Sequence, residues 1–147
     1  MENQYKNIFI EGAISPQKIA DSISKHSHKT NIGAHGIFLG QVRADVKENA
    51  TVIAISYSAY TDMALKRAHE LREAIFEKYQ LTCLHIYHSI GLVKAGEICL
   101  FVFTSSPHRH DATNACNELV EQIKTELPIW GKEILSNNDA IWKINTK

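Results

Sequence analysis

From Thr104 to Glu133 the chain reads TSSPHRHDATNACNELVEQIKTELPIWGKE, and this stretch restricts the fold more than any other. The apolar run Ile98–Phe103 leads into it as a strand that ends at Thr104. Ser105-Ser106-Pro107 then opens a helix reaching to about Leu127, with Ala112, Ala115, Cys116, Leu119 and Ile123 recurring at helical spacing on its inner face. Pro128 stops that helix, because proline lacks the amide a helix interior needs. His108 and Arg109 fall in the first turn. Cations there oppose the helix dipole, which favours anions. A chain that keeps them at that position points to an anion site, where backbone N–H groups and side-chain donors converge.

The remaining elements fit around this core unit. Ile8-Phe9-Ile10 reads as a short strand, and Ser15 with Pro16 opens a helix through about Ser24. Residues Ile32–Val42 carry three glycines among β-prone side chains and read as a strand that bends or approaches another backbone closely. Ala44–Ala50 is polar and reads as a mobile loop. Thr51–Tyr60 alternates, with Val52, Ala54, Ser56 and Ser58 on one face and Ile53, Ile55, Tyr57 and Ala59 on the other. Thr61 is expected to cap a helix running to about Tyr79, whose stripe is Ala64, Leu65, Ala68, Leu71, Ile75 and Tyr79. Thr82–Ile90 and Glu97–Thr104 read as strands joined by a loop over Gly91–Gly96, and Ile141–Ile144 reads as a last strand. Strands and helices alternate only loosely and one connection is hairpin-like, so a mixed α+β fold is expected, as one domain over residues 1–147.

Charge and cysteine content narrow the function. Sixteen basic and sixteen acidic side chains cancel, so no global field draws the chain to nucleic acid or to an anionic membrane. Any anion must be held by a local cluster. Cys83, Cys99 and Cys116 are widely spaced and odd in number, which argues against a disulfide framework and against structural zinc. No basic start followed by an apolar run marks a signal peptide, and no apolar run is long enough to span a bilayer. A cytoplasmic protein is expected.

Each candidate functional residue has an ordinary alternative. Arg43 ends a strand at the start of a polar loop, a usual place for a binding residue and equally for a solvated arginine. His108-Arg109-His110 suits two phosphate donors, a metal ligand pair or a polar helix start. No further histidine stands at ligand spacing on one helical face, so no metal is expected. Lys124, between Glu121 and Glu126, reads as a helix-surface lysine on pattern alone. Trp130 reads as a core anchor, and Lys132 follows Gly131, where a missing side chain allows close backbone approach. Arg109 and Lys124 stand fifteen residues apart on one helix, which separates them by about 22 Å. One small ligand cannot touch both. The simplest way to unite them is a two-fold dimer in which His108-Arg109 of one copy joins Arg43, Lys124 and Lys132 of the other.

Together with Gly40-Gln41-Val42-Arg43, the Thr104–Glu133 stretch resembles the large, catalytic subunit of molybdopterin synthase, with the likeness running from about Gly33 to Glu133. The resemblance implies an α/β-hammerhead architecture with an added antiparallel β subdomain. It implies conversion of cyclic pyranopterin monophosphate into molybdopterin, with dithiolene sulfur delivered as a thiocarboxylate on the Gly-Gly tail of a ubiquitin-like small subunit. The assembly it implies is a central homodimer of large subunits with one small subunit at each end, and no resident cofactor or metal. Carried onto this chain, the substrate pocket comprises Gln41, Val42, Arg43, His108, Arg109, Lys124, Gly131, Lys132 and Glu133, with Lys124 and Lys132 as catalytic groups. One departure stands out. The family commonly places a lysine directly after the aromatic residue, whereas here Trp130 is followed by Gly131 and only then by Lys132. A non-enzymatic module for a phosphorylated ligand and a metal-dependent hydrolase are the rival classes.

Overall fold

The run around Ile98–Phe103 becomes the most buried strand of the molecule. The computed structural model describes residues 5–143. Its elements are β1 (Phe9–Glu11), α1 (Pro16–Lys25), β2 (Ala34–Gln41), β3 (Val46–Lys47), β4 (Ala50–Ala59), α2 (Thr61–Lys78), β5 (Cys83–Lys94), β6 (Ile98–Ser106), α3 (Arg109–Glu126), β7 (Ile129–Leu135) and β8 (Ala140–Trp142). The eight strands form one sheet in the order β2-β6-β5-β4-β7-β8, with β1 beside β5 and β3 beside β4. Every pairing is antiparallel except β1 with β5. This is the expected mixed α+β class, one eight-stranded and largely antiparallel sheet with three helices.

Strand β6 is buried from Cys99 to Ser106 and carries its apolar run to Phe103, because both its faces are covered. Leu100 and Val102 pack with Leu65, Leu71 and Ile75 of α2 and with Ala115, Leu119 and Ile123 of α3. Phe101 and Phe103 point the other way, onto Ile14 and Ile19. A smaller core under β4 gathers Val42, Val52, Ile55, Val93 and Leu135. Gly36 lets α3 lie close on the sheet. A Cβ there would come 2.5 Å from the Ala112 carbonyl oxygen and 2.5 Å from Thr104 Oγ1.

Several element boundaries differ from the sequence reading, each for a local reason. Strand β6 continues to Ser106, paired with Ala34, so α3 begins at Arg109 with His108 as its cap residue. Thr61 is the first residue of α2, and Tyr60 holds the cap position without a side-chain hydrogen bond. The polar segment after Arg43 is a tight hairpin in which Val46 pairs with Thr51. Residues 91–96 are mostly strand rather than loop. Gly91, at φ +83°, bends β5 so that His88 still pairs with Leu100 of β6 while Gly91–Lys94 pair with β4. Ile53 is skipped in the pairing of β4 with β7, so it turns outward and both Ala54 and Ile55 are buried. The segment after Pro128 is strand β7, which the sequence reading left without an element. The expected final strand is β8, and Ile144 lies outside the described residues. Ser15 caps α1 as expected, accepting from the Lys18 N–H at 3.2 Å. Among the described residues no helix is long and apolar enough to cross a membrane.

Candidate active site

Where β2 ends, its last residues meet the edge of the β4–β7 half and the last turns of α3. A cavity of ≈ 320 Å³ opens there, walled by Gln41, Val42 and Arg43, by Tyr57 of β4, Cys99 of β6, Lys124 of α3 and Glu133 of β7. A second cavity, of ≈ 110 Å³, adjoins it through Tyr57, Cys99 and Lys124 and is completed by His88, Trp130 and Gly131. Lys143 lines both.

The electrostatics divide the wall into fixed and available groups. Arg43 is exposed and paired with Asp45 at 3.3 Å, an exposed pair that contributes little and so leaves the guanidinium open to a ligand. Glu133 is only 5% exposed and faces Lys47 Nζ at 3.9 Å. Burial foremost, then Cys99 and Glu133, raises the Tyr57 hydroxyl far above the ordinary tyrosine range. The phenol therefore stays protonated and serves as a hydrogen-bond donor. His88 is pushed down to about 4, chiefly by burial and further by the Lys124 charge, with its bond to Ser89 acting the other way. Its Nδ1 lies 2.7 Å from the Ser89 carbonyl oxygen and must donate to it. The ring is thus neutral, with Nε2 unprotonated.

The residues expected in the site are only partly gathered. Gln41, Arg43, Lys124, Gly131 and Glu133 come together in the two adjoining cavities. Val42 contributes to the wall, but its side chain is buried in the smaller core. His108 and Arg109 lie elsewhere, in a separate concavity with His110, Thr113 and Asn114. Helix α3 is unbroken from Arg109 to Glu126, so the separation expected from the sequence holds within one chain. Lys132 is placed apart from the two cavities. Side chains alternate along a strand, so Gly131 and Glu133 face the cavities while Lys132 turns to the other side. There its Nζ stands 5.4 Å from the centroid of the Trp142 ring. Tyr57, His88, Cys99 and Lys143 belong to the wall but were not singled out in the sequence. Each sits mid-strand or beside a strand, placed by pairing rather than by any local motif.

A histidine cluster lies apart from these cavities. His26, Cys83 and His85 bring ligand atoms within 4.8 Å of one another, a grouping that no sequence spacing reveals. Its hydrogen bonds form a satisfied chain. The Lys6 ammonium donates to His85 Nδ1 at 3.2 Å, His85 Nε2–H donates to His26 Nε2 at 3.2 Å, and His26 Nδ1–H donates to the Ser22 carbonyl at 2.7 Å. Lys29 donates to Cys83 Sγ at 2.9 Å. Two ammonium groups already face this cluster, so a metal cation would meet like charge. Burial first, then Lys6, His26, Arg72 and Lys29, pushes His85 down to about 4. The sign for stability follows directly. Unfolded histidine binds its proton near pH 6.5, whereas folded His85 and His88 resist it until about 4. Stability from both is complete above pH 6.5 and falls as pH drops toward 4. The urea midpoint should therefore be clearly lower at pH 5 than at pH 7.5. Equal midpoints would show that these rings protonate freely in the fold.

The MoaE protein family model matches residues 10–126. The chain belongs to the MoaE protein family. A Drosophila melanogaster relative, molybdopterin synthase catalytic subunit, is 36% identical over 115 residues, which is 77% of this chain and 31% of the fly protein. The chain thus spans about a third of the length of that relative. The molybdopterin synthase crystal structure from Staphylococcus aureus superposes with a TM-score of 0.80 at 29% identity, covering 99% of this chain and 100% of that one. A Helicobacter pylori complex of subunits 1 and 2 of molybdopterin-converting factor shares the fold at a TM-score of 0.79 and 20% identity, over 95% and 90% of the two chains. In this MoaE-family chain, the matched span takes in every wall residue except those of β7 and Lys143. The departure at Gly131 falls in the part beyond the match.

Proposed function

We propose that this chain is the catalytic subunit of a molybdopterin synthase, inserting dithiolene sulfur from a thiocarboxylated small subunit into cyclic pyranopterin monophosphate. The observation that carries this reading is the pair of adjoining cavities in which Arg43 on one side and a neutral His88 on the other flank Lys124 and a protonated Tyr57. Such a wall suits a phosphorylated, hydrogen-bonding heterocycle better than an apolar ligand. Arg43 supplies charge-assisted hydrogen bonds to phosphate oxygens. As the thiocarboxylate sulfur attacks and the cyclic phosphate opens, negative charge develops, and the Lys124 ammonium stabilises it. His108 and Arg109 belong to the same reading through a homodimer, as donors to the phosphate from the second copy.

The chain has no exposed thiol among its described residues to act as sulfur carrier. Cys83, Cys99 and Cys116 are all buried and unpaired, and burial pushes Cys116 up to about 11. Free buried thiols of this kind fit the reducing cytoplasm. This reading takes the sulfur from the partner. Mixing the chain with a thiocarboxylated small subunit and the cyclic pterin should yield dithiolene product, and the chain alone should yield none. A Cys83→Ser, Cys99→Ser, Cys116→Ala variant that folds should retain partner-dependent turnover. Binding of the pterin without turnover in the complete mixture would favour a non-enzymatic module. Turnover lost on chelation and restored by zinc would favour a hydrolase.

A further inference from the structure

The position directly after Trp130 is glycine, and its surroundings leave no space for a side chain. A Cβ on Gly131 would come 2.9 Å from Ile55 Cγ2 and 3.2 Å from Tyr57 Cε1. Lys132, the next residue, turns away toward Trp142. The neighbouring strand offers the alternative. Strand β8 runs antiparallel to β7 with Trp142 opposite Lys132, and the Lys143 N–H donates to the Gly131 carbonyl at 2.8 Å. Lys143 therefore sits across the strand pair from Gly131, and cross-strand neighbours share a face. That face is the one Gly131 and Glu133 present to the cavities. Lys143 lines both cavities, as does Lys124 on the opposite element.

We infer that Lys143 is the second lysine of the active site, delivered from the residue after β8 into the space beside Gly131 and acting with Lys124 on the anionic substrate. The inference rests on the synthase reading. Its chemistry is electrostatic: two ammonium groups, one from α3 and one from the residue after β8, line the volume in which negative charge grows and stabilise it. An ammonium carried on a four-carbon stem from the adjacent strand reaches the cavity without the close backbone contact that Gly131 has with Tyr57. The exchange explains how a chain with glycine at this position keeps a site with two lysines.

The test compares Lys143→Met, Lys143→Arg and Lys132→Met in the complete chain, reconstituted with thiocarboxylated small subunit. Methionine keeps the stem and the backbone N–H to Gly131, so thermal unfolding should be unchanged. The expected result is a roughly hundredfold loss of kcat in Lys143→Met, the scale for removing one positioned charge stabiliser. Lys143→Arg should recover most of that loss, a rescue that a purely structural role would not produce. Undiminished turnover in Lys143→Met, or turnover lost in Lys132→Met instead, would overturn the assignment while leaving the synthase reading intact. Equal loss in Lys143→Arg and Lys143→Met would overturn the charge role. An inactive wild-type mixture would overturn both readings together.

Discussion

Lys124→Ala should lower turnover of the reconstituted enzyme by about a hundredfold or more while leaving the chain folded. The two halves of this expectation have separate causes. Lys124 is exposed in the last turn of α3, where a cation favours the helix dipole by only about 0.3–1 kcal/mol. The core beneath is carried by its neighbour Ile123, which is 3% exposed. Removing the ammonium therefore costs little in folding. Its effect on chemistry is larger because Lys124 lines both cavities and its charge reaches His88, whose affinity for a proton it lowers. The measurement is kcat in the complete mixture, with thermal unfolding as the control. Near-normal kinetics in a folded variant would make Lys124 an ordinary surface lysine, the reading its flanking Glu121 and Glu126 suggest.

Much of the fold was legible because it depends on local periodicity. The stripe Ala64, Leu65, Ala68, Leu71 and Ile75 marks α2, and the corresponding stripe marks α3, since each helix buries one face on the same sheet. The separation of Arg109 from Lys124 followed from helix length alone. What escaped depends on pairing. Strand β3 holds only two exposed residues, so no burial pattern betrays it. Strand β7 does alternate toward its buried end, at Glu133 and Leu135, but Trp130 and Gly131 disguise its start. A glycine with positive φ usually ends a strand, yet Gly91 lets β5 change partners and continue. The site follows the same division. Gln41, Arg43, Lys124 and Glu133 were recognisable through their motifs, whereas Tyr57, His88 and Lys143 reach the cavity by strand register. Lys132 lies away from the cavities for the same reason: a single step along β7 moves a side chain to the opposite face.

Mixing two inactive variants should restore activity if the site is shared between copies. Arg109 and Lys124 occupy opposite ends of one unbroken helix, and the residues around them line different cavities. About 22 Å of helix lies between them, more than an extended arginine and an extended lysine can close around one small substrate. The proposed synthase reading gives both a role on a phosphorylated pterin, Arg109 as a hydrogen-bond donor to the phosphate and Lys124 as a charge stabiliser. A two-fold axis would resolve this: an isologous dimer with the N-terminal end of α3 of one copy at the Lys124 cavity of the other would repeat the arrangement at the second site. Arg109→Ala and Lys124→Ala homodimers should then each be nearly inactive. After subunit exchange, a heterodimer of the two has one site with both defects and one site with neither. Activity should return to about half of wild type per heterodimer, the share set by two equivalent sites. Native mass spectrometry establishes that exchange has occurred. If heterodimers form and turnover stays absent, the two residues serve one chain, and Arg109 acts through something other than direct contact with the substrate bound at Lys124.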